Sequence, residues 1–472
     1  MTGLIGWTGG GPPKGNPTLR LKFGQPAAGE PATTFTLGLR FDDTTYYRPF
    51  QASGSFAWAA SGRKVVPGGG REPRANVDPD DLAEAGWGIL WADEATRDEA
   101  APHLAPLLEH RRKEAGDRFL ERVHVVGRSA RAFLDGEGDV PGPADEAPYY
   151  LLLVGDPQVL PFEFQQQLDL RYAVGRLHFD TPEAYASYAA SVVASEKKAA
   201  RLERRALFFG VEHENDPATQ QCVKQLIEPL AAETARRKGW STEFVLGANA
   251  TRSALLGRLS SGPPPAVLVT AGHSPVLGKG SADQEAYQGA LVTADWPDPD
   301  AEKPLGPEHL FAARDLGGSV DLAGTISILV GCFTAGTPRF DGFAREEPEE
   351  LAEAPFVAHL PQALLSRGAL AAVAHVDSLY LHSFAWPGSA AKPQHKTYGD
   401  MLHHLMAGHR LGHAMDTFGR RYGEMADYLL GARMNPSSID EATYSAYWIG
   451  YHDARQFVVL GDPAVRLALK ED

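Results

Sequence analysis

The chain has 472 residues, 43% hydrophobic and 22% charged, the mixture of a globular protein with roughly three domains at about 150 residues each. A formal net charge of −15 sets the average surface against phosphate backbones and anionic lipid, which argues against nucleic acid or membrane as partners. Two cysteines, Cys222 and Cys332, in so long a chain rule against a disulfide framework and fit free thiols in a reducing compartment. No run approaches the ~20 apolar residues of a membrane span. The first ten residues have neither a basic nor an apolar signal region, so a cytoplasmic location is expected.

Residues 1–85 read as a β-rich N-terminal extension, with Gly/Pro clusters around the alternating segments 18–23 and 35–41. From residue 86 the pattern becomes strand then helix: an apolar run at 87–91, a helix over 93–112, an acidic Gly/Pro-rich linker at 135–147, a buried strand at 149–154 and a helix over 182–198. A second series starts at 206–210 and continues through helix 219–237, strand 242–246, helix 252–259, strand 266–270, strand 326–330, a helix near 356–366 and strand 369–375. Strands alternating with helices imply crossover connections and a mainly parallel sheet covered on both faces. The expected fold class is therefore α/β, with boundaries at 1–85, 86–200 (a first α/β subdomain) and 201–472 (a second).

In open parallel sheets ligands gather beyond the carboxyl ends of strands. Ala266-Val-Leu-Val-Thr-Ala-Gly-His273-Ser274 puts an imidazole at one such exit, and Ile326-Ser-Ile-Leu-Val-Gly-Cys332-Phe-Thr-Ala-Gly336 puts a thiol at another. Gly272, Ser274 and Gly331 are small, which lets a substrate backbone approach and main-chain N–H groups face an oxyanion. A thiol attacks as thiolate, so the chemistry asks for an imidazole nearby. Taken singly, Cys332 also reads as a small buried hydrophobe and His273 as a loop histidine satisfying backbone groups.

A hydrophobic strand followed by His, then a second followed by Cys, resembles the clan-CD cysteine peptidases, the group of caspases and gingipains. The 59 residues from His273 to Cys332 are similar to the ~50-residue caspase interval. The likeness is to gingipain-like peptidases and bacterial CHAT proteins. It extends over segments 149–157, 174–177, 206–226, 368–384 and 458–465, in family order from about residue 148 to the C-terminus. The resemblance implies a caspase-hemoglobinase-like sheet, Cys332 as nucleophile, His273 as general base and acid, and an oxyanion site bracketed by Gly272, Gly331 and Cys332. Ser274 stands where the family has glycine. In the same register Glu212 matches an acid that orients the histidine, and Asp216 the acid at the bottom of the S1 pocket, selecting Arg or Lys at P1. Asp216 reads equally as the N-cap of a helix opening at Pro217. The segment Val376-Asp377-Ser-Leu-Tyr380-Leu matches a substrate-binding wall, with Tyr380 as its aromatic or as ordinary packing. The acidic run at 343–353 is a solvated loop or, by resemblance, a processing region with Arg345 as the cut.

His404, His409 and His413 share a helical stretch without HExxH or a second Cys/His cluster, Gly9–Gly11 lacks P-loop spacing, no Gly-x-Ser-x-Gly elbow occurs, and Cys222 sits in a helix as core. No metal or other cofactor is expected. The expectation is a cysteine endopeptidase acting on protein or peptide, restrained until an activating protein or protease releases it, with bacterial defence as the context suggested by CHAT proteins. Its rivals are a catalytically silent scaffold for protein interaction, and a peptide ligase or acyl transferase using the same dyad.

Overall fold

A computed structural model describes residues 37–40, 77–125, 127, 129–130, 147–197, 201–297, 305–342, 348–384, 395–435 and 440–470. The expected strand at 18–23, nearly all of the acidic linker, Gly9–Gly11 and Arg345 lie outside them. Ten strands make one sheet: β1 (Trp87–Trp91), β2 (Phe119–Val123), β3 (Tyr150–Val154), β4 (Ala173–Leu177), β5 (Arg205–Gly210), β6 (Ser241–Leu246), β7 (Val267–Ala271), β8 (Ile326–Val330), β9 (Ala371–His375) and β10 (Phe457–Gly461). They lie in the order β2-β1-β3-β4-β10-β9-β8-β7-β5-β6.

Every neighbouring pair is parallel except β9 with β10. Two parallel blocks thus meet at one antiparallel seam. The last strand in the chain, β10, joins the block built by the first four, which returns the C-terminus to the N-terminal half of the sheet. Seven strands, β1, β3, β4 and β7 to β10, are buried at every position. Successive side chains on a strand point to opposite faces, so full burial means that both faces are covered. The near-continuous apolar spelling of β7 and β8 is the sequence cause of that placement.

Helix α1 (Glu94–Ala115) packs beside α2 (Pro182–Glu196), and a buried charge cluster ties both to the seam. Arg111 donates to Glu196 and to Asp462, each at 2.7 Å, and Trp87 Nε1 donates to the same Asp462 at 2.9 Å. Removing one partner from such a cluster costs about 3–5 kcal/mol, because the remaining charge is left unpaired away from water. No described helix is long and apolar enough to cross a membrane.

The four strands β5, β7, β8 and β9 are adjacent and parallel, so their carboxyl ends open on one edge. Gly210 pairs with Ala271, Ala271 with Val330, and Leu329 with Ala374. The loops after those residues carry the chemistry.

Candidate active site

The four exits present, in sheet order, Asp216 after β5, His273 after β7, Cys332 after β8 and Leu379 after β9. His273 and Cys332 each stand two residues beyond the paired ends Ala271 and Val330. Their loops are stitched together: Gly272 N–H donates to Val330 O at 3.2 Å, and a Cβ on Gly331 would lie 2.7 Å from Ser274 Oγ and 3.1 Å from Gly272 O. Position 331 must therefore be glycine to let the two loops touch.

His273 Nε2 lies 2.6 Å from Asp216 Oδ2, and both side chains are fully buried. The other carboxylate oxygen accepts from Ala218 and Thr219 N–H, at 3.0 and 3.4 Å, capping the helix Pro217–Cys222. A carboxylate at Nε2 keeps the proton there and makes Nδ1 the basic nitrogen. Here the structure departs from the expected division of labour. Asp216, expected either at the base of an S1 pocket or as the N-cap of the helix opening at Pro217, is that N-cap, and its second oxygen meets the imidazole. Glu212, expected to orient the histidine, faces Lys224 at 3.9 Å and is partly exposed. Capping explains the exchange: fixing Oδ1 on the first helical turn aims Oδ2 at the neighbouring exit of β7.

Cys332 is fully buried. Leu379 N–H donates to Sγ at 3.0 Å, and Sγ lies 3.7 Å from Leu379 O. Burial pushes the thiol well above its ordinary range, against backbone hydrogen bonds from Leu379 and Leu37 that pull it back. The sulfur is thus hydrogen bonded to the Leu379 main chain rather than to His273. Behind it the turn is tied down: Phe333 N–H donates to Asp377 O at 2.8 Å, and Thr334 Oγ1 to Leu329 O at 3.0 Å.

Above the sulfur lies a strand from far upstream. Gly38–Arg40 runs parallel to Ser274–Val276, with Gly38 opposite Ser274. Leu37 N–H donates to Leu379 O at 3.0 Å, and Leu37 O accepts from Ser274 N–H at 2.8 Å. A Cβ on Gly38 would stand 3.1 Å from Cys332 Sγ.

The other expected residues take different places. The Gly272 N–H is engaged with Val330 O, so it does not point at an oxyanion as expected. Asp377 is buried with φ 75°; its carboxylate accepts from Gly342 and Ser378 N–H at 2.6 and 2.7 Å, and burial holds it up to about 6. It braces the loop rather than facing a substrate. Tyr380 is buried in an aromatic cluster with Tyr422, Trp448 and Tyr451, the packing alternative. Sequence reasoning does not single out Leu379; the alternating segment 35–41 holds the strand Gly38–Arg40, but alternation names no pairing partner.

A cavity of about 470 Å³ opens beside Phe162, Glu163, Arg339 and Phe340, and neither His273 nor Cys332 lines it. His110, Glu114 and Glu196 bring one ligand atom each within 4.8 Å of one another, but the Arg111 guanidinium bonds both acids and supplies the positive charge there. His409 and His413 face Asp80 and Asp416.

The sequence matches no protein-family profile and no curated protein. Among solved structures, one described as "Structure of Protease" is similar at TM-score 0.46 and 14% identity, over 81% of this chain and 78% of that one. Another, the Saccharomyces cerevisiae separase–securin complex, is similar at TM-score 0.31 and 11% identity, over 67% of this chain and 16% of that chain. Likenesses this distant leave the chemistry to the residues.

Proposed function

We propose that the chain is a cysteine endopeptidase of the caspase and gingipain type. The observation that carries this reading is the placement of Asp216, His273 and Cys332 at the exits of three consecutive parallel strands, with the imidazole held by a buried carboxylate. In the proposed reaction the Cys332 thiol gives its proton to His273 Nδ1 and, as thiolate, attacks the scissile carbonyl carbon. The tetrahedral adduct collapses as the C–N bond breaks, and His273 gives its proton to the leaving amine. Water, deprotonated by His273, then attacks the thioester, and the thiol leaves with the proton returned from the imidazole. Asp216 stabilises the imidazolium and fixes its orientation, the role that a buried carboxylate plays behind a catalytic histidine.

A preference for Arg or Lys at P1 is not part of this proposal, because both oxygens of Asp216 are already engaged. A second reading, the silent scaffold, has one observation in its favour: the sulfur is sealed and hydrogen bonded to Leu379 rather than to His273.

The test uses the full chain and its Gly38→Val variant, each with and without Cys332→Ala, on a complex peptide mixture, with products read by mass spectrometry. Cys332-dependent hydrolysis products in either background support the peptidase. Joined peptides instead of hydrolysed ones assign the ligase. Identical spectra with and without the thiol in both backgrounds overturn the catalytic reading and leave the scaffold.

A further inference from the structure

The strand over Cys332 is held as a peptide would be held. Leu37 spans the cleft with its own main chain, its N–H on Leu379 at one wall and its carbonyl on Ser274 at the other. The chain then continues as an added strand along Ser274–Val276, the mode by which many clefts bind extended peptides. At the crossing of the sulfur stands the residue type that the space demands: a Cβ at position 38 would meet Val276 Cγ2 at 2.9 Å and Cys332 Sγ at 3.1 Å. Leu37 is fully buried in the main core.

We infer that Leu37–Arg40 is an internal pseudosubstrate, a strand of this chain that fills the peptide-binding edge beside Cys332 and must leave before the thiol reacts. Its description as inhibition rests on the peptidase reading above; the covering of the sulfur does not. The pairing is short, three residues beside Ser274–Val276, and such an edge contact opens locally without unfolding the sheet beneath it. Departure of the strand returns water to Sγ and removes the burial that keeps it protonated. The same geometry names the ligand class: an extended peptide with glycine at the residue that crosses the sulfur.

The test reads alkylation of each cysteine in the full chain by iodoacetamide and peptide mapping, with Cys222, fully buried in its helix, as internal control. In the wild type both react slowly. In Gly38→Val and in Leu37→Ala, Cys332 labelling is expected to rise at least ten-fold while Cys222 stays slow. A synthetic peptide with the sequence of residues 33–44, added to the Gly38→Val chain, is expected to slow Cys332 again, and the same peptide with valine in place of glycine 38 to have no effect. Should Gly38→Val release both cysteines, the core has opened, and Leu37→Ala with the peptide decides. Wild-type labelling of Cys332 in both variants, or no protection by the glycine peptide, overturns the inference. Fast labelling without any peptide cleavage keeps the pseudosubstrate strand and retires the peptidase; cleavage with unchanged labelling does the reverse.

Discussion

Phe333 and Asp377 are joined by a 2.8 Å hydrogen bond from the Phe333 N–H to the Asp377 carbonyl, and they are the two non-glycine residues with positive φ among the described residues, at 56° and 75°. The first directly follows Cys332 and the second leads to Leu379, the thiol's backbone donor. Left-handed backbone outside glycine persists where its surroundings over-determine it, and it gathers at functional sites.

Replacing Asp377 tests that bracing. Asn tolerates the left-handed region but keeps one of the two acceptor oxygens, so Asp377→Asn is expected to lose about 1–3 kcal/mol for the single N–H it orphans. Asp377→Val adds about 1–3 kcal/mol of backbone strain and leaves the Gly342 and Ser378 N–H groups without their acceptor, about 1–3 kcal/mol each. Denaturant melts of the two variants check this order; equal losses would show that the conformation at 377 carries no strain.

Asp216→Asn separates two jobs held by one side chain. Asparagine caps a helix about as well as aspartate, so stability is expected to change by under about 1 kcal/mol, while loss of the carboxylate behind His273 lowers kcat by about 10²–10⁴-fold. Asp216→Ala adds about 1 kcal/mol of capping loss. Thermal melts and turnover on a Cys332-dependent substrate check both. Full activity in the Asn variant would reduce Asp216 to a cap.

Gly331→Ala drives a methyl group into Ser274 Oγ and is expected to cost about 1–3 kcal/mol by overpacking. Ser274→Ala removes the obstructing oxygen, so the double variant is expected to recover about 1 kcal/mol or more of that loss, a coupling read from a double-mutant cycle. Strict additivity would mean that a side chain at 331 does not meet Ser274 Oγ.

Acid stability carries the signature of His375. Burial drives its imidazole down to about 3, so it folds neutral. Between about pH 6.5, the unfolded value, and pH 3 the unfolded chain binds the extra proton, and stability falls as pH is lowered through that window. Asp377, held up to about 6, acts oppositely: from about pH 4 to 6 the folded state keeps a proton that the unfolded chain releases, so its contribution falls as pH rises. The His375 displacement is the larger. His375→Asn retains a donor toward the Asp377 carbonyl and is expected to flatten the acid limb of stability against pH in urea melts; an unchanged slope between pH 4 and 6.5 would refute the assignment.

The apolar runs of β1 and β8 fall on Trp87–Trp91 and Ile326–Val330 as read from the sequence, and the exits that carry His273 and Cys332 come directly after such runs. These are local properties: a strand covered on both faces is spelled largely in apolar residues, and chain order alone sets the residues beyond its carboxyl end. Which carboxylate meets the imidazole is decided otherwise: capping the helix Pro217–Cys222 leaves the second oxygen of Asp216 on His273, while Glu212 faces Lys224. Tyr380 and Asp377 take their places through packing against residues far along the chain, and β10 crosses to the first block for the same reason. Above all, the strand Leu37–Arg40 has an ordinary alternating sequence; that it lies on the thiol comes from a meeting of the N-terminal segment with Ser274 and Leu379, whose hydrogen bonds form once the sheet has brought those two loops side by side.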